Sequence, residues 1–90
     1  METESTTVTC NGGAYTQVTS ASTGYALIYN PLGAGGNVSL YNGSAAPDPF
    51  TKAKMILKPD QAFQRTSDIT DHIWIKVTSG NDVDIVVMEA

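Results

Sequence analysis

The stretch His72-Ile73-Trp74-Ile75-Lys76-Val77-Thr78-Ser79-Gly80-Asn81-Asp82-Val83-Asp84-Ile85-Val86-Val87-Met88-Glu89 holds two alternating runs on either side of a turn. Successive side chains of a strand point to opposite faces, so Ile73, Ile75 and Val77 share one face and His72, Trp74 and Lys76 the other. In the second run Val83, Ile85 and Val87 form the matching apolar set, with Asp82, Asp84, Val86 and Met88 opposite. Ser79-Gly80-Asn81 is turn chemistry, and the two runs read as a β-hairpin with its Ile/Val face in the core. Trp74, Val86 and Met88 are then left on an outward face that a solitary domain would make polar. Trp and Met are enriched at protein interfaces, so a subunit contact is one reading and cover by the N-terminal segment or a loop is the other.

Outward from that pair the chain repeats the pattern in shorter runs. Thr6 to Cys10 is β-branched and turns through Asn11-Gly12-Gly13 into Ala14 to Thr19, which reads as a first hairpin. Tyr25 to Asn30 reads as a central strand, with Tyr25, Leu27 and Tyr29 on one face and Ala26 and Ile28 on the other. The loop Pro31 to Gly36 leads into Asn37 to Tyr41, expected to pair back with it. Asn42 to Phe50 is irregular and stiffened by two prolines, which makes Pro47, Asp48, Pro49 and Phe50 a candidate contact loop. Lys54 to Leu57 and Ala62 to Thr66 complete eight short strands around the Lys58-Pro59-Asp60-Gln61 turn. Their spacing predicts one all-β domain over residues 1–90, an antiparallel β-sandwich, jelly roll or small barrel. Residues 1–20 form either its first hairpin or an N-terminal arm.

Ninety residues bury only about 60–65% of the unfolded chain's surface, so such a domain leans on staples or neighbours. Cys10 and His72 are single residues of their kind, which rules out an intrachain disulfide and a zinc site of the usual ligand spacing. Oligomerisation is the remaining support. Five Lys and Arg against nine Asp and Glu give a net charge of -4, and the basic residues are scattered, so nucleic acid is not expected as a partner. No stretch reaches the roughly 20 apolar residues of a membrane span, and Met1 to Thr9 has no apolar export region. The sequons at Asn37 and Asn42 read as turn residues.

The motifs that suggest chemistry fall short of it. Gly33-Ala34-Gly35-Gly36 lacks the following Lys-Ser/Thr and helix of a phosphate loop. Asp68, Asp71 and His72 lack the alternating oxygen ligands and closing Glu of a calcium loop. Cys10 has no basic neighbour in sequence to lower its pKa. Asp82 and Asp84 share a strand face without surrounding sugar-binding groups. No catalytic residue, cofactor or metal is therefore assigned.

Residues 25–90 run in a recognisable order: YALIYN, a glycine loop, VSLYNGSAAP, a Lys-Pro turn in LKPDQAF, then HIWIKVTSGNDVDIVVMEA. This order resembles that of small β-sandwich structural proteins of tailed-bacteriophage virions, the capsid decoration or cement type. The resemblance implies a protein made in the host cytoplasm and carried on the capsid surface. It further implies a homo-oligomer, with a trimer favoured, seated on the major capsid protein. A tail or fibre-base component is the alternative within that setting, and a carbohydrate-binding module stacking sugars on the tyrosines and Trp74 the alternative outside it. The contact residues expected from the face analysis are Trp74, Val86, Met88, Tyr25, Tyr29 and the loop Pro47 to Phe50.

Overall fold

The computed structural model describes residues 4–20, 24–31, 36–47, 55–66 and 71–89, and every regular element among them is a strand. In chain order these are β1 (Glu4–Cys10), β2 (Thr16–Gln17), β3 (Ala26–Asn30), β4 (Asn37–Gly43), β5 (Met55–Leu57), β6 (Gln61–Arg65), β7 (His72–Ser79) and β8 (Val83–Glu89). They form two four-stranded sheets, sheet A in the order β1-β8-β3-β6 and sheet B in the order β2-β7-β4-β5. All pairings are antiparallel and they nest: β1 with β8, β2 with β7, β3 with β6 and β4 with β5. Contacts of β3 with β8 and β4 with β7 stitch the nested pairs into sheets. That is the strand order of a jelly roll, the expected β-sandwich in its double-sheet form.

The nesting changes three local expectations. β7 and β8 are not a hairpin, because β7 belongs to sheet B and β8 to sheet A, and the chain crosses between the sheets at Ser79 to Asp82 with Gly80 at φ 90°. The reason lies in the two Ile/Val stripes. A hairpin would point both stripes the same way and leave them in need of outside cover. The crossing sets Ile73, Ile75 and Val77 against Val83, Ile85 and Val87, so that each set buries the other. β1 and β2 likewise lie in different sheets, and β4 pairs with β7 and β5 instead of turning back onto β3. At the first crossing Asn11 does the turning. Its Oδ1 accepts the amides of Gly13 (2.9 Å) and Ala14 (3.2 Å), while its carbonyl takes the Val77 amide at 2.9 Å.

The core between the sheets contains Ile28, Val83, Ile85 and Val87 from sheet A and Val38, Leu40, Ile73, Ile75 and Val77 from sheet B. Each such side chain contributes about 1.5–3 kcal/mol on burial, which is the main support of a chain without staples. Gly36 is needed where the chain enters β4, since a Cβ there would overlap the carbonyl oxygen of Ser79. Lys58-Pro59-Asp60-Gln61 closes with Gln61 N–H donating to Lys58 O at 3.1 Å, and Asp60 takes the positive φ (69°) that a type II turn places after its proline. The sequons lie in β4 rather than in turns: Asn37 opens the strand, and Asn42 Nδ2 donates to the carbonyls of Asp71 and His72.

Among the described residues one charged side chain, that of Arg65, sits fully inside. Arg65, at the end of edge strand β6, pairs with Ala26 and follows Phe63 onto the inner face. Its Nε donates to Gly24 O and its Nη1 to Asp71 O, both at 2.9 Å, and Nη2 lies 4.0 Å from Glu89. The guanidinium thereby ties two loop ends to β8. Asp71 keeps a φ of 81° while its carbonyl is held by Arg65 and Asn42.

Candidate functional site

The contact residues expected from sequence do not share one face. Trp74 lies on the outer side of sheet B, whereas Val86 and Met88 lie on the outer side of sheet A, because β7 and β8 are in opposite sheets. The single outward patch foreseen from a hairpin is thus two patches on opposite sides of the sandwich.

On sheet A the register assembles a block. Met88 sits beside Leu27 and then Gln64; one row along, Val86 sits between Thr7 and Tyr29, with Ala62 beyond. Leu27, Tyr29, Val86 and Met88 are each half-buried in the isolated chain. Their four side chains cover the middle of the sheet, with Thr7 and Gln64 as a polar rim. The Tyr29 hydroxyl reaches past the block to donate to Asp60 Oδ1 at 2.6 Å, the apolar-body, polar-tip use of tyrosine. Tyr25 is half-buried just ahead of β3. Leu27 was absent from the residues expected at a contact. Its signal was the same alternation that selected Tyr29.

On sheet B, Trp74 is flanked by Gln17 of β2 and Tyr41 of β4. Its Nε1 donates to Gly43 O at 2.8 Å, so the chain itself holds the indole's polar edge. Tyr15 crosses the same face, packs edge-on against Tyr41 with ring centroids 6.4 Å apart, and meets Ser39 Oγ through its hydroxyl at 2.9 Å. Trp74 itself remains half-buried between Gln17 and Tyr41. Pro47 is half-buried, and Asp48, Pro49 and Phe50 lie outside the described residues.

The polar clusters are occupied with structure. Thr19 Oγ1 accepts the Ile73 amide at 3.1 Å and pairs with His72 Nδ1 at 3.0 Å, and Thr19 is buried, so its hydroxyl has no room to attack a substrate. Ser20 bonds Glu89 through both its amide and its hydroxyl, the latter at 2.6 Å. Asp68 lies outside the described residues; Asp71 and His72 are engaged through their carbonyls with Asn42. Among the described residues no group of three His, Cys, Asp or Glu side chains is placed to hold a metal ion. Cys10 is wholly buried, and burial first, then the charge of Asp84, pushes its thiol up to about 12. No protein-family model, characterised protein or solved structure matches this chain.

A second apolar feature lies on the side of the sandwich where edge strands β5 and β6 come together. Met55 and Ile56, 41% and 43% exposed, join Leu57, Gln61 and Ala62 around an open groove of about 310 Å³. They are the exposed large hydrophobic residues among those described.

Proposed function

We propose that the chain is a non-catalytic assembly protein, a decoration-type component of a tailed-phage virion that seats the outer face of sheet A on the shell protein. The observation that carries this reading is the block of Leu27, Tyr29, Val86 and Met88 in register across β3 and β8. Jelly rolls serve in viral shells and in lectins alike, so the fold agrees with the reading without selecting it. The resemblance of its strand-and-turn order to that of decoration proteins points the same way. Seating the block would hold the shell closed by mass action, because every contact made only in the assembled state lowers its free energy.

The test is pelleting of purified protein with shells of the encoding virus that lack it. Wild type should pellet saturably at a stoichiometry set by the capsid lattice, and the double variant Leu27→Glu/Met88→Glu should stay folded in the supernatant. Equal pelleting of the variant, or none of the wild type, would overturn the reading.

Trp74 beside Tyr41 favours a second reading, a carbohydrate-binding module that stacks a sugar on sheet B. A glycan array without hits would remove it.

A further inference from the structure

We infer that Asn11 is a self-modifying site, which loses its side-chain amide to attack by the Gly12 backbone nitrogen and so limits the lifetime of the first crossing between the sheets. The inference is independent of the proposed function, since it needs no partner. Asn11-Gly12 and Asn42-Gly43 are the two Asn-Gly pairs of the chain. A glycine in second place has no Cβ to crowd the approach of its nitrogen to the asparagine Cγ. The fold treats the two pairs differently.

Asn11 is exposed in the turn that follows β1. Its Oδ1 accepts the amides of Gly13 and Ala14, and the ring closed by the first of these bonds contains the Gly12 nitrogen. The side chain is thus folded back towards the nucleophile, which replaces the chance encounter of a free chain. Both donors sit on the oxygen that gains negative charge as the nitrogen adds to Cγ, an arrangement that stabilises such an oxyanion. Asn42 has the opposite setting. It is half-buried within β4 opposite Ile73, and its Nδ2, the group that has to leave, donates to the carbonyls of Asp71 and His72.

In the reaction Gly12 gives its amide proton to water, its nitrogen bonds to Cγ, the Cγ–Nδ2 bond breaks, and the amine takes a proton and departs as ammonia. Water then opens the cyclic imide at either carbonyl. Opening at Cγ gives aspartate and opening at the Asn11 main-chain carbonyl gives isoaspartate. Either product takes the net charge from -4 to -5, one neutral amide becoming one carboxylate. Aspartate keeps an oxygen for the Gly13 and Ala14 amides. In isoaspartate the chain runs through the former Cγ, and the carbonyl that takes the Val77 amide at 2.9 Å leaves the main chain as a free carboxylate.

The experiment is peptide mapping by mass spectrometry of protein aged in warm, mildly alkaline buffer, folded and in urea, beside the variant Gly12→Ala. A Cβ at Gly12 would lie 3.4 Å from the Val77 carbonyl oxygen, an ordinary contact, and circular dichroism checks that the variant folds. Asn11 should convert severalfold faster than Asn42 in the folded protein, the two rates should converge in urea, and Gly12→Ala should suppress conversion at Asn11. Equal rates in the folded protein, a difference that persists in urea, or wild-type conversion in a folded Gly12→Ala would overturn the inference. The wild-type comparison decides alone should that variant not fold. Isoaspartate-rich aged protein should also unfold at lower urea than Asn11→Asp, and equal midpoints would remove the claimed effect on the crossing.

Discussion

Arg65 is the residue on which one end of the sandwich depends. A buried guanidinium with its donors on Gly24 and Asp71 is costly to leave half-satisfied, and a lysine cannot reproduce the fork. Arg65→Ala is expected to cost about 3 kcal/mol or more, and Arg65→Lys most of that, in urea denaturation. Cys10 gives a pH prediction. Its folded-state value near 12 lies above the unfolded value of 9.0, so the folded form holds the proton more tightly. Its contribution is fully present below pH 9 and is lost as pH rises from 9 towards 12, at about 1 kcal/mol per pH unit. Comparing wild type with Cys10→Ala from pH 8 to 11 should show the steeper decline in wild type, and a thiol reagent should label Cys10 only on unfolding. Neither role was legible beforehand in full. That Cys10 would be a small strand residue followed from its β-branched neighbours, but the nearness of Asp84 depends on β1 lying beside β8. Arg65 was only one of the scattered basic residues, and the alternation that carries Phe63 inward carries it inward too.

At the scale of the strand, alternation carried most of what the sequence could tell. Ile73, Ile75, Val77, Val83, Ile85 and Val87 were all expected inside and are all buried. The same alternation is blind to partner choice, because a hairpin and a crossing between sheets send the same residues inward. It therefore could not show that Trp74 and Met88 leave the molecule on opposite sides. That outcome rests on long-range pairing, β1 with β8 across nearly the whole chain. The alternation yields a sharp comparison in β8: Val87→Asp should unfold the protein, as an uncompensated core charge does, while Val86→Asp should leave the dichroism spectrum intact and weaken shell binding. Gly36→Ala should be destabilising by a few kcal/mol, since the obstacle is the Ser79 backbone and not a movable side chain.

For the whole molecule, nested pairing has a kinetic consequence. Among the described residues five of the six strand pairings join strands that are not neighbours in sequence, so loop closure precedes most of the stabilising contacts. Refolding after denaturant dilution is expected on the millisecond-to-second scale typical of all-β domains, and microsecond folding would contradict the pairing scheme. The two sheets also explain how one small chain can offer separate contacts, an apolar face on sheet A and an aromatic face on sheet B.

The most direct test of the assembly reading is the oxidation rate of Met88 by dilute peroxide, measured by mass spectrometry in intact particles and in the isolated chain. Burial of the sheet A face predicts that Met88 reacts much more slowly in the particle. Equal rates in the two states would show that this face stays open, and would contradict the account.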